Sequence, residues 1–371
     1  SFAMKAVSKM SNPIGSEIQE LDTPALLLNV QTLDRNLKKM ATFFHGRPCQ
    51  LRPHFKNHKC TQLARRQLNA GSALGMTCAK VGEAEVLAEA GFDNLLIANQ
   101  VVGQRKLQRL VAIADQSQIR VAVDAPEHLS AISDAANTAG VNIGILIEVD
   151  IGMRRCGVPP GSPALELVQQ IDTLPGITFD GIQAYEGHLP YLENRDVRRQ
   201  QSYESMQLAI DTRKLLEQSG FPVAVISGGS SSTYDATGLI DGVDELQAGT
   251  YATMDWVYHG HIPEFELAMT LAARVISRPR PGVAVLDVGV KGAGHEFGPP
   301  RVSDYSEATI ANFGSEEHCV VENVPDWKIG QVVQLWPSHA CTTCNLYREF
   351  CVIENDRVID VWPIDGSGKL T

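Results

Sequence analysis

Residues 94–150, NLLIANQVVGQRKLQRLVAIADQSQIRVAVDAPEHLSAISDAANTAGVNIGILIEVD, alternate between two kinds of pattern. Apolar runs of strand length at 94–99, 120–124 and 144–150 are separated by amphipathic runs at 104–114 and 126–138. This order indicates β-α units, whose strands lie parallel and are buried on both faces. The segment therefore predicts part of an α/β fold built on a parallel sheet.

The same alternation continues on both sides of this segment. It adds strands at 50–54, 74–79, 178–185, 224–228 and 245–248, and helices at 60–68, 81–90, 164–172 and 195–218. Eight such units match the closed (β/α)8 barrel of the TIM type. An open doubly wound sheet is the alternative, but it usually begins with a G-x-G-x-x-G turn after its first strand, and the sequence contains no such turn.

The residues outside these units follow a different pattern. A strand is predicted at 23–30, and β-like segments separated by Pro, Gly and Asn-Asp turns follow at 267–277, 282–288, 332–336, 348–354 and 357–362. We therefore predict a barrel over residues 30–262. Residues 19–29 and 263–371 are predicted to form an antiparallel β domain, in which the early strand can pair with the later ones.

Composition excludes several classes of protein. A formal net charge of −11 argues against nucleic acid and against an anionic membrane surface as partners. No apolar stretch approaches the roughly 18–20 residues of a membrane-spanning helix. Residues 1–18, which we set aside from the fold, lack the apolar core of a signal peptide. The eight cysteines form no compact disulfide framework, so we expect reduced thiols and a cytoplasmic protein.

Basic residues follow the first barrel strand, at the end where the chemistry of such barrels is found. Residues 52–59 read RPHFKNHK, and strand alternation places Arg52, His54 and Lys56 on one side, toward the barrel axis. A lysine in a barrel mouth is unfavourable unless it is paired or used covalently, which makes Lys56 a candidate Schiff-base lysine. A solvated loop is an equally open interpretation of this spacing.

Gly- and Ser-rich turns follow the last two barrel strands. Residues 227–233 read SGGSSST, and residues 249–251 read GTY. Barrels of this type often bind phosphate at these two turns through backbone N–H groups and hydroxyls. A lone GGSSS is usually a flexible turn, but its place beside the second turn favours phosphate. A phosphate site together with a Schiff-base lysine fits pyridoxal 5'-phosphate.

A histidine and a cysteine stand two residues apart in the C-terminal domain, within WPSHAC. On an extended segment the side chains of His339 and Cys341 would point the same way. Both residue types are good zinc ligands. Two ligands make an incomplete site that water or substrate would complete, as in catalytic centres. One surface histidine and one buried thiol is the alternative.

The order of motifs resembles a known family. The motifs are LDTPALLLN (21–29), RPHFKNHK (52–59), EVDIGMRRCGV (148–158), IQAYEGH (182–188), ELQAGTYATMD (245–255), LDVGVK (286–291) and PSHAC (337–341). They resemble the D-threonine aldolase and eukaryotic-type D-serine dehydratase group, within the alanine-racemase-like fold type III of pyridoxal-phosphate enzymes. The resemblance covers about residues 20–365. It implies a homodimer that acts on D-configured 3-hydroxy amino acids.

The resemblance also implies roles for particular residues. Lys56 would bind the cofactor covalently, Arg155 would lie near the cofactor ring or the substrate carboxylate, and Tyr185 would face the cofactor. The residues implied to bind the phosphate are Ser231, Gly249, Thr250 and Tyr251. His339 and Cys341 would hold the catalytic divalent metal, with zinc expected before manganese because of the thiolate.

Cleavage of the substrate also needs a base near the substrate hydroxyl, and His188 is our candidate. In dehydration, Lys56 would instead remove the Cα proton.

Two departures leave the reaction open. Residues 228–233 read GGSSST where aldolases of this group commonly carry GGGTGS, and the metal pair is H-x-C where well-known aldolases carry H-x-D. The barrel motifs favour an aldolase that gives glycine and an aldehyde. The metal pair favours a dehydratase acting on D-serine or D-3-hydroxyaspartate, which gives a 2-oxo acid and ammonia. A racemase and a non-catalytic pyridoxal-phosphate carrier fit less well.

Overall fold

The computed structural model describes residues 12–371, which form two compact units. The β unit contains the described residues through Leu37, together with Asn57–Gln62 and Thr250–Gly368. The barrel unit contains Lys38–Lys56, Leu63–Gly249 and Lys369–Thr371. The sequence-based domain boundary at residues 262 and 263 stays a prediction, and the chain passes between the two units at several points that the sequence pattern does not mark.

The elements in chain order are as follows. The strands are β1 Ala25–Asn29, β2 Gln50–Leu51, β3 Met76–Cys78, β4 Leu95–Ile97, β5 Ile119–Val123, β6 Ile143–Glu148, β7 Ile177–Ala184, β8 Val225–Gly228, β9 Glu245–Leu246, β10 Met269–Ser277, β11 Val283–Leu286, β12 Arg301–Val302, β13 Thr309–Asn312, β14 Cys319–Glu322, β15 Val332–Trp336, β16 Glu349–Glu354 and β17 Arg357–Pro363. The α-helices are α1 Val30–Phe44, α2 Thr61–Asn69, α3 Val81–Glu89, α4 Gln104–Ala114, α5 Pro126–Ala139, α6 Ser162–Ile171, α7 Arg195–Gln218, α8 Tyr234–Thr237, α9 Trp256–His261 and α10 Ala340–Cys344.

The barrel unit contains the eight predicted parallel strands, in the order β2-β9-β8-β7-β6-β5-β4-β3. Irregular backbone bonds join β2 to the other end of this row. Leu51 N–H donates to the Ser72 carbonyl at 2.7 Å, and Thr77 N–H donates to the Pro53 carbonyl at 2.8 Å. The prediction of an eight-stranded α/β barrel is thus confirmed.

Local signals in the sequence explain why the barrel elements form where the pattern predicts them. Every residue of β6 is buried, as expected for a strand covered on both faces. Helix α5 begins with Pro126 and is followed by Gly140 at φ +69, which is the usual pair of start and stop residues. The Asn194 side chain caps α7 by accepting from two backbone N–H groups.

The β unit is a mixed sheet around β1 and β10. β1 pairs antiparallel with β10, as predicted, and parallel with β16. The prediction of a purely antiparallel domain is therefore wrong for one pair of strands, β1 and β16. A parallel pair needs a long connection, and more than 300 residues of chain separate β1 from β16. Three short strands, β12 to β14, were not predicted.

Two further predictions can be compared with the described part of the chain. Among residues 12–371, no helix has both the length and the apolar character needed to cross a membrane. All eight cysteines are free thiols. The prediction that residues 1–18 lack the apolar core of a signal peptide falls mostly on residues 1–11, which lie outside the described residues.

Candidate active site

Two cationic side chains lie beside one aromatic ring in the barrel unit. Lys56 Nζ is 5.8 Å from the centroid of the Tyr185 ring, and the Arg155 guanidinium carbon is 5.5 Å from the same centroid. Both distances are within the range of cation–π attraction. The structure therefore brings together three residues that come from three separate motifs.

The backbone around Lys56 differs from the predicted alternation. Strand β2 ends at Leu51, and residues Phe55–Asn57 form a 3-10 turn. The turn begins because the Lys56 N–H donates to His54 Nδ1 at 3.3 Å instead of continuing the ladder. Arg52 is buried against Glu245 at 2.6 Å, whereas Lys56 is exposed. The prediction that Arg52 and Lys56 share one face of a strand is thus wrong.

The loop that carries Arg155 packs against His188. The Asp150 carboxylate accepts from the backbone N–H groups of Gly152 and Arg154, both at 3.0 Å. Gly152 has φ +133, and a Cβ there would lie 2.7 Å from the His188 ring. Only glycine therefore allows this close approach.

His188 has the electrostatic character of a base. Its Nε2 lies 3.2 Å from Ser205 Oγ. Burial lowers the pKa of His188 below its ordinary value of 6.5, and Asp150 opposes this effect in part. The imidazole is therefore mainly neutral at pH 7 and can accept a proton.

The turn after β8 accommodates serine without backbone strain. Gly229 has φ +79, and a Cβ there would come within 2.2 Å of the Leu246 side chain, so this position requires glycine. Ser230 has an extended backbone at φ −143, and Ser231 to Thr233 have no positive φ. Serine in place of the family's glycine is therefore compatible with the turn, and Ser231 is buried within it.

A buried carboxylate that the sequence analysis left without a role holds this turn. Glu186 accepts from Gly229 N–H at 3.1 Å, from Thr233 Oγ1 at 3.0 Å and from Thr237 Oγ1 at 2.5 Å. Burial raises the pKa of Glu186, and these donors oppose the rise. Arg198 Nε donates to the Ser232 carbonyl at 3.0 Å. The only sequence signal for Glu186 is its place inside the AYEGH motif.

The remaining predicted phosphate residues follow β9. Gly249 is the last residue of this stretch of the barrel unit, and Thr250 and Tyr251 open the next stretch of the β unit. Thr250 is buried, and its carbonyl accepts from Met254 N–H at 2.7 Å. The buried Tyr251 ring packs edge-on against Phe265, with 6.0 Å between centroids. Their contribution to phosphate binding stays a prediction.

The segment from His339 to Cys341 was predicted to be extended, but only its first residue is. His339 has an extended backbone, but α10 begins at Ala340, and Cys341 is its second residue. The helix starts there because the buried Asp255 carboxylate accepts from Ala340 N–H at 2.8 Å. The two side chains nevertheless interact: burial lowers the pKa of His339, but Cys341 and Glu296 raise it to about 9.

This pair has the surroundings of an incomplete metal site. The Glu296 carboxylate is hydrogen-bonded to His339 Nδ1 and also accepts from Thr342 Oγ1 at 2.6 Å. Because Nδ1 is engaged by Glu296, Nε2 is the His339 nitrogen that would bind a metal. Metal-binding histidines commonly have such a carboxylate partner. Within residues 12–371, no group of three or more His, Cys, Asp or Glu side chains is arranged to hold a metal. Two donors alone would leave open positions for water or substrate, as in catalytic centres, and the metal itself stays a prediction.

Comparisons with known proteins identify the family and the fold. Residues 28–255 match the alanine racemase N-terminal domain, and residues 268–353 match the putative serine dehydratase domain. A D-threonine aldolase of Arthrobacter sp. is 36% identical over 95% of both chains. A 3-hydroxy-D-aspartate aldolase of Paracoccus denitrificans is 31% identical over 96% of this chain and 94% of its own. The crystal structure of D-threonine aldolase from Filomicrobium marinum has a TM-score of 0.94 and 33% identity, and the match covers 97% of this chain and 99% of that one.

A parallel barrel and a β domain with these motifs define an alanine-racemase-like enzyme. The chain belongs to the alanine-racemase-like family of pyridoxal-phosphate enzymes, and within it to the lyases of the D-threonine aldolase and dehydratase group. The family, the fold and the pyridoxal phosphate cofactor predicted from the motifs are confirmed. The metal and the roles of the individual residues stay predictions.

Proposed function

We propose that the protein cleaves the Cα–Cβ bond of 3-hydroxy D-amino acids and releases glycine and an aldehyde. The observation that carries this proposal is the similarity to two aldolases along nearly the whole length of each chain. Both relatives are named for D-configured substrates with a hydroxyl at Cβ. A small-molecule substrate also agrees with the acidic net charge of −11, which disfavours nucleic acid.

The proposed roles divide between cofactor binding and proton transfer. Pyridoxal phosphate, when bound, supplies an electron sink for the negative charge left on Cα when the bond breaks. Lys56 holds the cofactor through its amine, and Arg155 and Tyr185 orient the ring or the substrate carboxylate. The residues proposed to bind the phosphate are Ser231, Gly249, Thr250 and Tyr251.

His339 and Cys341 would hold a divalent metal, which would supply Lewis-acid assistance at the substrate hydroxyl, and His188 would accept the hydroxyl proton. Zinc suits the thiolate better than manganese does.

Replacing His188 with asparagine is expected to lower kcat/KM by about 100-fold or more, the usual scale for losing a positioned base. In the unsubstituted protein, kcat/KM should fall as the pH drops through the pKa of His188, below 6.5, because protonation removes the base. The variant should lose this acidic limb. A pH profile of kcat/KM for both proteins is the measurement.

Exposed His45 in the same unit provides the control. His45→Asn should keep both the rate and the acidic limb. An unchanged limb in His188→Asn would assign the base to another group.

Replacing Ser231 with alanine is expected to weaken cofactor binding by about 10- to 100-fold, because one hydrogen bond to a charged group is lost. Titration of the cofactor-free protein with pyridoxal phosphate measures this change. Ser232→Ala is the matched control, because Ser232 Oγ donates to the Pro190 carbonyl at 2.9 Å. Equal cofactor affinity in Ser231→Ala and the unsubstituted protein would mean that the phosphate binds elsewhere.

Dehydration is the second candidate function. It is favoured by the His339–Cys341 pair and by the match of residues 268–353 to the putative serine dehydratase domain. In this reaction Lys56 would remove the Cα proton, and the metal would help the substrate hydroxyl to leave. The substrates would be D-serine or D-3-hydroxyaspartate.

Product analysis separates the two candidates. The purified protein, supplied with pyridoxal phosphate and either zinc or manganese, is incubated with D-threonine and D-serine. Glycine and acetaldehyde from D-threonine would support aldol cleavage. A 2-oxo acid and ammonia from either substrate would replace it with dehydration, and the more active metal would identify the ion.

We also propose that the protein is a homodimer located in the cytoplasm. The resemblance supports the dimer, and the eight free thiols agree with a reducing compartment. Light scattering after size exclusion should give twice the chain mass, and a monomeric mass would contradict the dimer.

A further inference from the structure

The residue that follows Lys56 in the chain contacts the cysteine of the proposed metal pair. Asn57 Nδ2 lies 3.7 Å from Cys341 Sγ, which is hydrogen-bonding distance for a sulfur acceptor. Asn57 is only 1% exposed. A buried amide needs hydrogen-bond partners inside the protein. The Cys341 sulfur is one of the partners that offset the cost of burying the Asn57 amide.

The orientation of the Asn57 amide follows from its second contact. Thr253 Oγ1 donates to Asn57 Oδ1 at 3.0 Å. The Thr253 carbonyl accepts from two backbone N–H groups, those of Ala268 and Met269, so Thr253 is itself fixed. A metal-binding cysteine is a thiolate, which accepts hydrogen bonds and donates none. The N–H end of the Asn57 amide must therefore face Cys341.

Besides the contact with Cys341, further hydrogen bonds anchor the segment that carries Asn57 within the β unit. Lys59 Nζ donates to Asn345 Oδ1 at 2.9 Å, just after the helix that contains Cys341. The Lys59 carbonyl accepts from Gly366 N–H at 2.8 Å. Thr61 N–H donates to Asp365 Oδ2 at 3.2 Å. The donor therefore has a defined place relative to the sulfur.

We propose that Asn57 is a positioning residue for the metal, because its amide N–H orients the Cys341 thiolate and draws electron density from the sulfur. Outer partners of metal ligands typically change metal affinity by about 10- to 100-fold. Hydrogen bonds to a metal-bound sulfur also alter the electronic properties of the site. The proposal rests on the proposed metal pair and gives Asn57 no contact with substrate or cofactor.

The test compares two buried asparagines of the β unit. Asn36 is equally buried, and its amide donates to the carbonyls of Ala252 and Glu266, away from the metal pair. Cofactor-loaded protein is freed of metal and titrated with Zn²⁺ against a competing chelator, and then with Co²⁺ to record the sulfur-to-metal absorption band. Asn57→Leu should weaken Zn²⁺ binding by about 10-fold or more and shift the band. Asn36→Leu should change neither.

A second variant keeps the test decisive if Asn57→Leu does not fold. Thr253→Val keeps the donor but removes the hydroxyl that fixes the amide, so it should shift the Co²⁺ band and weaken Zn²⁺ binding less than Asn57→Leu does. Zn²⁺ affinity and a Co²⁺ band identical to those of the unsubstituted protein, in whichever variant folds, would overturn the role of Asn57.

These readouts use no substrate and therefore do not depend on which reaction the enzyme catalyses. If the sulfur-to-metal band of Co²⁺ is missing even from the unsubstituted protein, the proposal that His339 and Cys341 bind a metal is overturned, and the role of Asn57 with it.

Discussion

Lys56→Ala is expected to eliminate the cofactor absorbance at about 420 nm that arises from covalent attachment through a lysine. Activity should fall by roughly 1,000-fold or more, the scale observed when the reactive group of a covalent mechanism is removed. The reason is that the Lys56 amine is placed next to Tyr185 and Arg155, at the carboxyl end of the barrel strands. Absorbance spectra and turnover of the variant are the measurements.

Lys59 supplies the matched control for this prediction. It lies in the same RPHFKNHK motif, but its Nζ is bonded to Asn345. Lys59→Ala should keep the cofactor absorbance. Added methylamine should restore part of the activity of Lys56→Ala, because a free amine can replace the missing one. An unchanged spectrum in Lys56→Ala would show that another lysine binds the cofactor.

The second large effect is expected from the proposed metal pair. His339→Ala and Cys341→Ala should each weaken metal binding by more than about 100-fold, since even outer partners of metal ligands are worth 10- to 100-fold. The proposed site consists of these two ligands, so the loss of one would leave no chelate. Activity should disappear with the metal, while the cofactor absorbance should persist. Metal content after gel filtration and the absorbance spectrum measure both expectations.

Cys344 gives the control for the cysteine. It lies one helical turn after Cys341, is fully buried, and contacts Met269 Sδ at 3.4 Å. Cys344→Ala should keep the metal. Cys341→Asp, which restores the H-x-D pattern, should bind metal with a preference shifted from zinc toward manganese, because oxygen ligands suit the harder ion. Full metal content in His339→Ala would refute the site.

The two predictions differ in how far the sequence supports them. Lys56 stands out because it follows a strand and sits in a motif, although the argument from strand alternation was wrong. The Lys56 N–H bonds the His54 side chain and starts a turn, and no pattern with a period of two residues can show that. Similarly, α10 places Cys341 beside His339 because Asp255, far away in the chain, caps the Ala340 N–H.

The residues that support the site were not found from the sequence at all. Glu186 fixes the Gly229–Thr233 turn from more than 40 residues away in the chain, and Glu296 reaches His339 over a similar distance. Asn57 and Cys341 are separated by 284 positions. Asn57 and Glu186 lie inside motifs, but a motif does not say what a side chain contacts.

The sequence by itself determined the barrel, the β domain and the cofactor class. Apolar periodicity, caps such as Asn194 and stop residues such as Gly140 act over a few residues, so they can be interpreted locally. The tertiary structure alone decided the turn at Lys56 and the pairing of His339 with Cys341. It also decided the contacts of the buried Glu186, which holds the turn after β8, and of the buried Asn57, which contacts Cys341. Those contacts join groups that are distant in the chain, because buried polar side chains must find hydrogen-bond partners wherever the fold brings them.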